Sequence, residues 1–191
     1  SGNVLADIPP GPALVVATPG AEPSARYGAA LLLDAAALLV RPDLRAAEEA
    51  LRRWMTAAAM VEPAADGGRV VVVAEASLAT VQALIRWDPA GHASAELNER
   101  TELGFPPAVR MAALDATPDA LAGLEVPEEA EVLGPVPVPG ELDGGRERLL
   151  IRVPRSQGLA LATALAAVQA GRSARKLPEP LRVELDPQQL A

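Results

Sequence analysis

Gly104-Phe-Pro-Pro107 divides this sequence into two halves with different patterning. Before it, 89–103 reads as a helix carrying Glu96, Glu99, Arg100 and Glu102. A double proline stops a helix and extends the chain, so a domain boundary is expected here, with one domain over 1–105 and a second over 106–191. The second half then runs strand, helix, strand, strand, helix, strand. The strands are 109–116, 131–139, 148–153 and 181–186, and the helices 118–124 and 156–170. Alternating prolines confine 131–139 to a sheet edge. Gly144-Gly145 supplies a hairpin turn. Leu159, Leu161, Leu165 and Val168 are expected to form the buried stripe of the long helix, and Leu181, Val183 and Leu185 to point inward from the last strand. That order is the split βαβ, α+β ferredoxin-like arrangement, in which two helices cover one face of an antiparallel sheet.

The first half alternates strands and helices. Residues 13–18 and 69–74 are short apolar runs rich in valine, each beside glycine turns, and read as buried strands. Residues 29–34 form a further run, ending at Asp34. A helix is expected from Asp43, its cap, with Leu44, Ala47, Leu51, Trp54 and Met55 at helical spacing, ending near Glu62. Another is expected from Ser77. Continuous apolar strands separated by helices fit an α/β unit whose parallel sheet is covered on both faces.

The 191 residues are 50% apolar and 22% charged, with mean hydropathy +0.17, enough apolar side chain for a core. No apolar run approaches the roughly 20 residues of a membrane span. The chain begins at Ser1 without Met or a basic-then-apolar leader, which reads as a piece of a longer protein without a signal peptide. With no Cys and one His, disulfides, thiolate chemistry and Cys- or His-pair metal sites are excluded, and no resident cofactor or metal is expected in this chain. Sixteen of the 17 cationic residues are Arg, usage that fits a GC-rich genome and carries no functional signal.

Net charge is −8, yet residues 144–182 hold eight basic residues against two acidic ones. Arg148 and Arg152 are four apart on one strand and share a face. Arg155 follows them, and Arg172, Arg175 and Lys176 sit at the end of the last helix. These six are the candidate phosphate-facing residues. Cations at a helix C-terminus also complement its dipole, a structural reason that needs no ligand, and both readings stay open.

Other motifs are weak. Residues 17–23 follow a strand but offer one glycine, no lysine and two prolines, a poor phosphate cradle. Asp34 at a strand end has no second acid beside it and reads as structural. Four aromatics, Tyr27, Trp54, Trp87 and Phe105, are too few for a base-stacking platform. Trp54 is expected in the core, Trp87 as a packing residue and His92 at the surface or as a cap.

Several stretches together resemble one family. Arg69-Val-Val-Val-Val-Ala74, Trp87-Asp-Pro89, the run from Glu96 to Arg110, Val132-Leu-Gly-Pro-Val-Pro137, Ser173-Ala-Arg-Lys176 and Arg182-Val-Glu-Leu-Asp-Pro187 are similar to the end of the primosomal protein N′ family. The resemblance runs from about Val4 to the end. It implies the second RecA-like lobe of a DNA helicase, with a parallel sheet and flanking helices, followed by an S10-like C-terminal domain. It further implies replication restart: binding of branched DNA at stalled forks, contact with single-strand-binding protein (Arg155 facing its acidic tail) and with proteins that load the replicative helicase, in the cytoplasm at the nucleoid. ATP and zinc, used by the family, would be held upstream. The family's Q-x-x-G-R-x-G-R element has no Gly-Arg counterpart in 47–60, where Arg52 and Arg53 are the candidate remnants of the ATP-site arginines, and 17–21 departs from the loop that couples ATP to DNA. The resemblance therefore implies a lobe that has lost helicase chemistry. An active ATP-dependent helicase with its ATP-binding lobe upstream, and a non-enzymatic acidic scaffold, are the alternatives.

Overall fold

The computed structural model describes residues 8, 11–33, 35–124, 126–127, 129–138 and 145–190. Two compact units divide the chain, Ser1–Ser94 and Ala95–Ala191.

In the first unit, β1 (Ala29–Leu32) and β2 (Arg69–Val72) pair in parallel, Leu31 opposite Val71. Helices α1 (Ala35–Leu39), α2 (Ala46–Ala59) and α3 (Ala79–Arg86) pack on one side of this pair. The core there joins Ala35 and Leu38 of α1, Ala50, Leu51 and Trp54 of α2, and Val81, Ala83 and Leu84 of α3, with Leu32, Val72 and Ala74 against them. Trp54 is a core residue, as its helical spacing implies. Helix α4 (Pro89–Leu103) runs from this unit into the next.

Several expectations for this unit are corrected. Residues 13–18 form no strand, and Leu14 and Val16 stand exposed. Among the described residues they have no ladder partner, and β propensity without a neighbouring strand fixes nothing. The parallel sheet is not covered on both faces among the described residues: Leu31, Leu33, Val71 and Val73 are exposed on alternate positions. Helix α1, not expected from the sequence, begins directly after the 29–34 run, because the Ala/Leu stretch there has high helix propensity. Asp43 does not cap α2. Its side chain accepts the Arg45 N–H at 2.8 Å in a turn two residues long, and the helix starts at Ala46. The α2 helix ends at Ala59, and α3 starts at Ala79 rather than Ser77. Trp87 is exposed, at the C-cap of α3 with φ 53°, rather than packed. His92 is only 7% exposed, not at the surface. Asp34 lies outside the described residues.

The second unit has the expected order: β3 (Val109–Ala116), α5 (Pro118–Ala122), β4 (Glu131–Pro137), β5 (Glu147–Pro154), α6 (Gly158–Ala174) and β6 (Arg182–Leu185). The sheet order is β4-β5-β3-β6, with every neighbouring pair antiparallel. Alternation along the two central strands sends Ala112, Leu114, Ala116, Leu149, Ile151 and Val153 into one core with Ala120 and Leu121 of α5 and Leu161 and Leu165 of α6. The proline-rich β4 does lie at an edge, and its register shifts between Leu133 and Val136. Gly134, at φ +102°, takes a backbone conformation there that other residues rarely adopt, and a Cβ would stand 2.9 Å from the Arg148 carbonyl. The expected turn at Gly144 lies outside the described residues.

Two core assignments are corrected. Leu159 is 81% exposed. It precedes Leu161 by two residues, about 200° around a helix, and so faces away from the stripe that Leu161, Leu165 and Val168 share. Leu185 at the free edge of β6 is exposed, while Leu181 and Val183 pack against the core.

On the other face of β3 and β5, Asp115 (3% exposed) and Arg148 (8% exposed) form a buried two-pronged ion pair. Two hydrogen bonds from the Arg148 guanidinium hold the Asp115 carboxyl below the ordinary carboxylate range, against the opposing effect of burial, and Arg148 is pushed up in turn. Asp115→Asn is expected to cost about 3 kcal/mol in urea unfolding, because it leaves a buried guanidinium uncompensated. The double change Asp115→Leu with Arg148→Met should recover most of that loss. A carboxyl with a lowered folded pKa contributes stability above its unfolded value, so this share persists above about pH 4 and fades as pH falls further.

Candidate nucleic-acid interface

The sequence offers six cations in the second unit, and the topology divides them. Arg148 and Arg152 share the β5 face opposite the core, as their spacing requires. Arg155 follows β5, just before α6 begins. Arg172, Arg175 and Lys176 lie at the other end of α6. Seventeen helical residues rise about 25 Å, so Arg155 and the 172–176 group stand at opposite ends of that helix.

Arg110, Arg148, Arg152 and Arg155 are each engaged by the protein itself. Arg152 donates Nε and Nη2 to the Glu131 carboxylate at 2.7 and 2.9 Å, and Nη1 to the carbonyls of Leu103 and Gly104 at 3.1 and 3.3 Å. It thereby ties the end of α4 to the β4–β5 edge. Gly104, at φ +69°, leaves the room this needs, since a Cβ would lie 2.5 Å from Arg152 Nη1. Arg155 donates to the Pro107 carbonyl at 2.9 Å. Arg110, on β3, pairs with Asp186, whose other oxygen accepts the Met111 N–H. Arg148 is committed to Asp115 and also reaches the Gln189 carbonyl at 3.3 Å.

The far end of α6 differs. The helix closes with the Leu177 N–H on the Arg172 carbonyl and the Lys176 N–H on the Ser173 carbonyl, with Lys176 in the left-handed conformation at φ 52°. Arg172 donates to the Glu179 carbonyl at 2.8 Å. The Arg175 and Lys176 side chains are exposed and pair with no carboxylate among the described residues. On the sheet face away from α6, β6 sets Arg182 opposite Asp115, and Arg182 and Arg146 both act on the Asp115 charge. Arg182 pairs with the exposed Glu184, at 3.4 Å. Strand register thus adds Arg182 and Arg146 to the neighbourhood of one sheet end, a grouping that linear spacing does not reveal.

In the first unit, Arg52 and Arg53 converge on one carboxylate. Arg52 gives Nε and Nη2 to Glu49 at 2.8 and 2.7 Å, and Arg53 gives Nε at 2.8 Å. These bonds pull the Glu49 carboxyl down to about 2. Among the described residues no cluster of acidic or imidazole groups could hold a metal, and no helix is long and apolar enough to cross a membrane.

An antiparallel split-βαβ unit with a cationic helix end, preceded by an α/β unit, is the class that geometry defines. Residues 101–188 match the primosomal protein N C-terminal domain. The chain is 54% identical over 97% of its length to the probable replication restart protein PriA of Mycobacterium leprae, and 51% identical over 97% to that of Mycobacterium tuberculosis strain H37Rv. It spans about a third of the length of these curated relatives, 31% and 32%. Over nearly its whole length the chain is thus similar to a C-terminal portion of PriA replication restart proteins.

Arg152→Gln removes the clip on Leu103 and Gly104 as well as the pair with Glu131. A loss of about 1–2 kcal/mol is expected in thermal or urea unfolding, with faster amide exchange in the last turn of α4.

Proposed function

We propose that this chain is a DNA-binding portion of a replication restart protein, and that Arg172, Arg175 and Lys176 meet the phosphates. The observation that carries this reading is the pair Arg175 and Lys176: exposed, at a helix end, and paired with no carboxylate among the described residues, inside the span that matches the primosomal protein N C-terminal domain. Clustered cations without internal partners on a molecule of net charge −8 favour an external polyanion over a general electrostatic coat. Arg148, Arg152 and Arg155 serve the fold in this reading, since each already donates to a group of the chain. Contact of Arg155 with an acidic tail would require it to leave the Pro107 carbonyl.

The second unit is read as an S10-like module that recognises branched DNA at stalled forks, and the first as the remnant of the second RecA-like lobe. The parallel pair β1·β2 with helices packed on it supports that second reading. Loss of helicase chemistry in this lobe is supported by Arg52 and Arg53, whose guanidinium groups are held by Glu49 instead of standing free for a triphosphate. ATP and zinc would be bound by other parts of the protein. Single-strand-binding protein and the loaders of the replicative helicase are the proposed protein partners, at the nucleoid.

Fluorescence anisotropy with forked and linear duplexes, across salt, tests the assignment. Each phosphate contact contributes about 0.9 to the slope of log affinity against log salt. The double change Arg175→Gln with Lys176→Gln should weaken binding of every DNA and flatten that slope by about two. Arg155→Gln should leave the slope as it is. A slope near zero, or one untouched by the double change, would sink the interface.

A further inference from the structure

The antiparallel sheet of the second unit has two outer edges, and they are finished differently. The β4 edge carries Pro135, Pro137 and a register shift between Leu133 and Val136, devices that keep a further strand from pairing. The β6 edge, Arg182–Leu185, has neither proline nor shift. Its phase on β3 is set by the Asp186 N–H, which donates to the Met111 carbonyl at 2.8 Å beside the pair Ala112 and Leu185. Bonded pairs alternate along an antiparallel ladder. Arg182 and Glu184 therefore turn their backbone groups toward β3, and Val183 and Leu185 turn theirs outward. Among the described residues, nothing bonds to those outward N–H and carbonyl groups.

The side chains of this edge are self-complementary. Val183 and Leu185 lie on the core side of the sheet, with Leu181 before them, and Arg182 and Glu184 lie on the other, 65% and 44% exposed. Two copies paired antiparallel about Val183 set Arg182 of each opposite Glu184 of the other, and the half-exposed Leu185 opposite Leu181. Val183 then exchanges two backbone bonds with its counterpart. The Leu185 N–H meets the Leu181 carbonyl of the second copy, which within its own chain accepts a single long bond from Gln169, at 3.5 Å, and has a lone pair to spare. Other registers lose the match. Pairing about Arg182 sets arginine against arginine. Pairing about Glu184 sets glutamate against glutamate, and pairing about Leu185 sets Glu184 against Asp186. Parallel pairing in register sets each charge against its own kind.

We propose that β6 is a self-association edge: two copies of this chain join β6 to β6 about a two-fold axis through the Val183 pair. The axis stands perpendicular to the sheet, so the eight strands are continuous and the helices of both copies lie on one side. So short an edge buries less than a permanent interface does, and the dimer is accordingly weak and concentration-dependent. Neither the DNA reading nor the similarity to restart proteins is needed for it.

Sedimentation of the 191-residue chain between about 10 µM and about 1 mM is expected to show the mean mass climbing from 19.7 kDa toward twice that value. Over the same range, amide exchange at Val183 and Leu185 should slow severalfold, while Arg182 and Glu184, already bonded to β3, change little. Arg182→Glu alone brings four carboxylates together in the dimer, and Glu184→Arg alone four guanidinium groups. Each should weaken self-association about tenfold. An equimolar mixture of the two variants restores opposite charges in both cross-pairs and should associate as the parent chain does. Leu185→Pro removes an outward N–H that β3 does not use, and should weaken association while leaving the urea midpoint near that of the parent. A single-chain mass at the highest concentration overturns the proposal. So do Val183 and Leu185 amides whose exchange is indifferent to concentration, a mixture that associates no better than either variant alone, or a Leu185→Pro chain that dimerises like the parent. If circular dichroism shows a charge variant unfolded, the amide exchange and the Leu185→Pro result decide.

Discussion

Pairing β3 with β5 one residue out of register would turn Arg148 and Arg152 toward α5 and α6 and carry Leu149, Ile151 and Val153 out of the core. Side chains alternate along a strand, so a single slip exchanges the two faces completely. The register found sets Asp115 opposite Arg148 on one face and Leu114 opposite Leu149 on the other. Both faces resist the slip: the apolar face by area removed from water, the polar face because either charge alone would be buried without its partner. Everything else in the second unit follows that choice, including the edge position of β4 and the placing of Arg182 beside Asp115.

The same register explains why so many arginines of this region are engaged within the chain. A guanidinium carries five donors in a fixed fork, and a folded chain offers it carboxylates and carbonyls at short range. Arg152 spends its donors on one carboxylate and two carbonyls, and Arg148 on a carboxylate and a carbonyl. Both therefore act as fasteners between segments far apart in sequence. The end of α6 offers fewer such groups. Its last-turn carbonyls are taken by the backbone closure itself, and Arg175 and Lys176 project beyond it. The proposed anion-binding role is placed there because, among the described residues, Arg175 and Lys176 pair with no carboxylate.

How much of this was legible in the sequence depends on which residue carried the pattern. The second unit was readable because its strands alternate cleanly and its prolines and glycines punctuate them, so order, edge strand and helix count all follow. Leu159 went astray because hydrophobicity was counted without phase. The roles of Arg148 and Arg152 were hidden because their partners, Asp115 and Glu131, lie 33 and 21 residues away, beyond any local pattern. His92 is the instructive miss. On α4, His92 and Arg100 are buried and Glu96 half-buried, at i, i+4 and i+8. The helical period was present, but in polar residues, where a search for apolar stripes does not look.

The first unit poses the converse problem, apolar residues without cover. Parallel pairs are normally buried on both faces, and a two-stranded sheet contributes little stability alone. Here Leu31, Leu33, Val71 and Val73 line an open face, while the opposite side is packed by three helices around Trp54. The helices therefore hold the strands, not the reverse: Leu32, Val72 and Ala74 are partners of a core whose buried centre is helical. That division explains how residues 13–18 can keep strand-like composition yet form no strand. With the helical core already satisfied by β1 and β2, a third run gains order only from a ladder partner or from burial of Leu14 and Val16, and neither is supplied by the described residues.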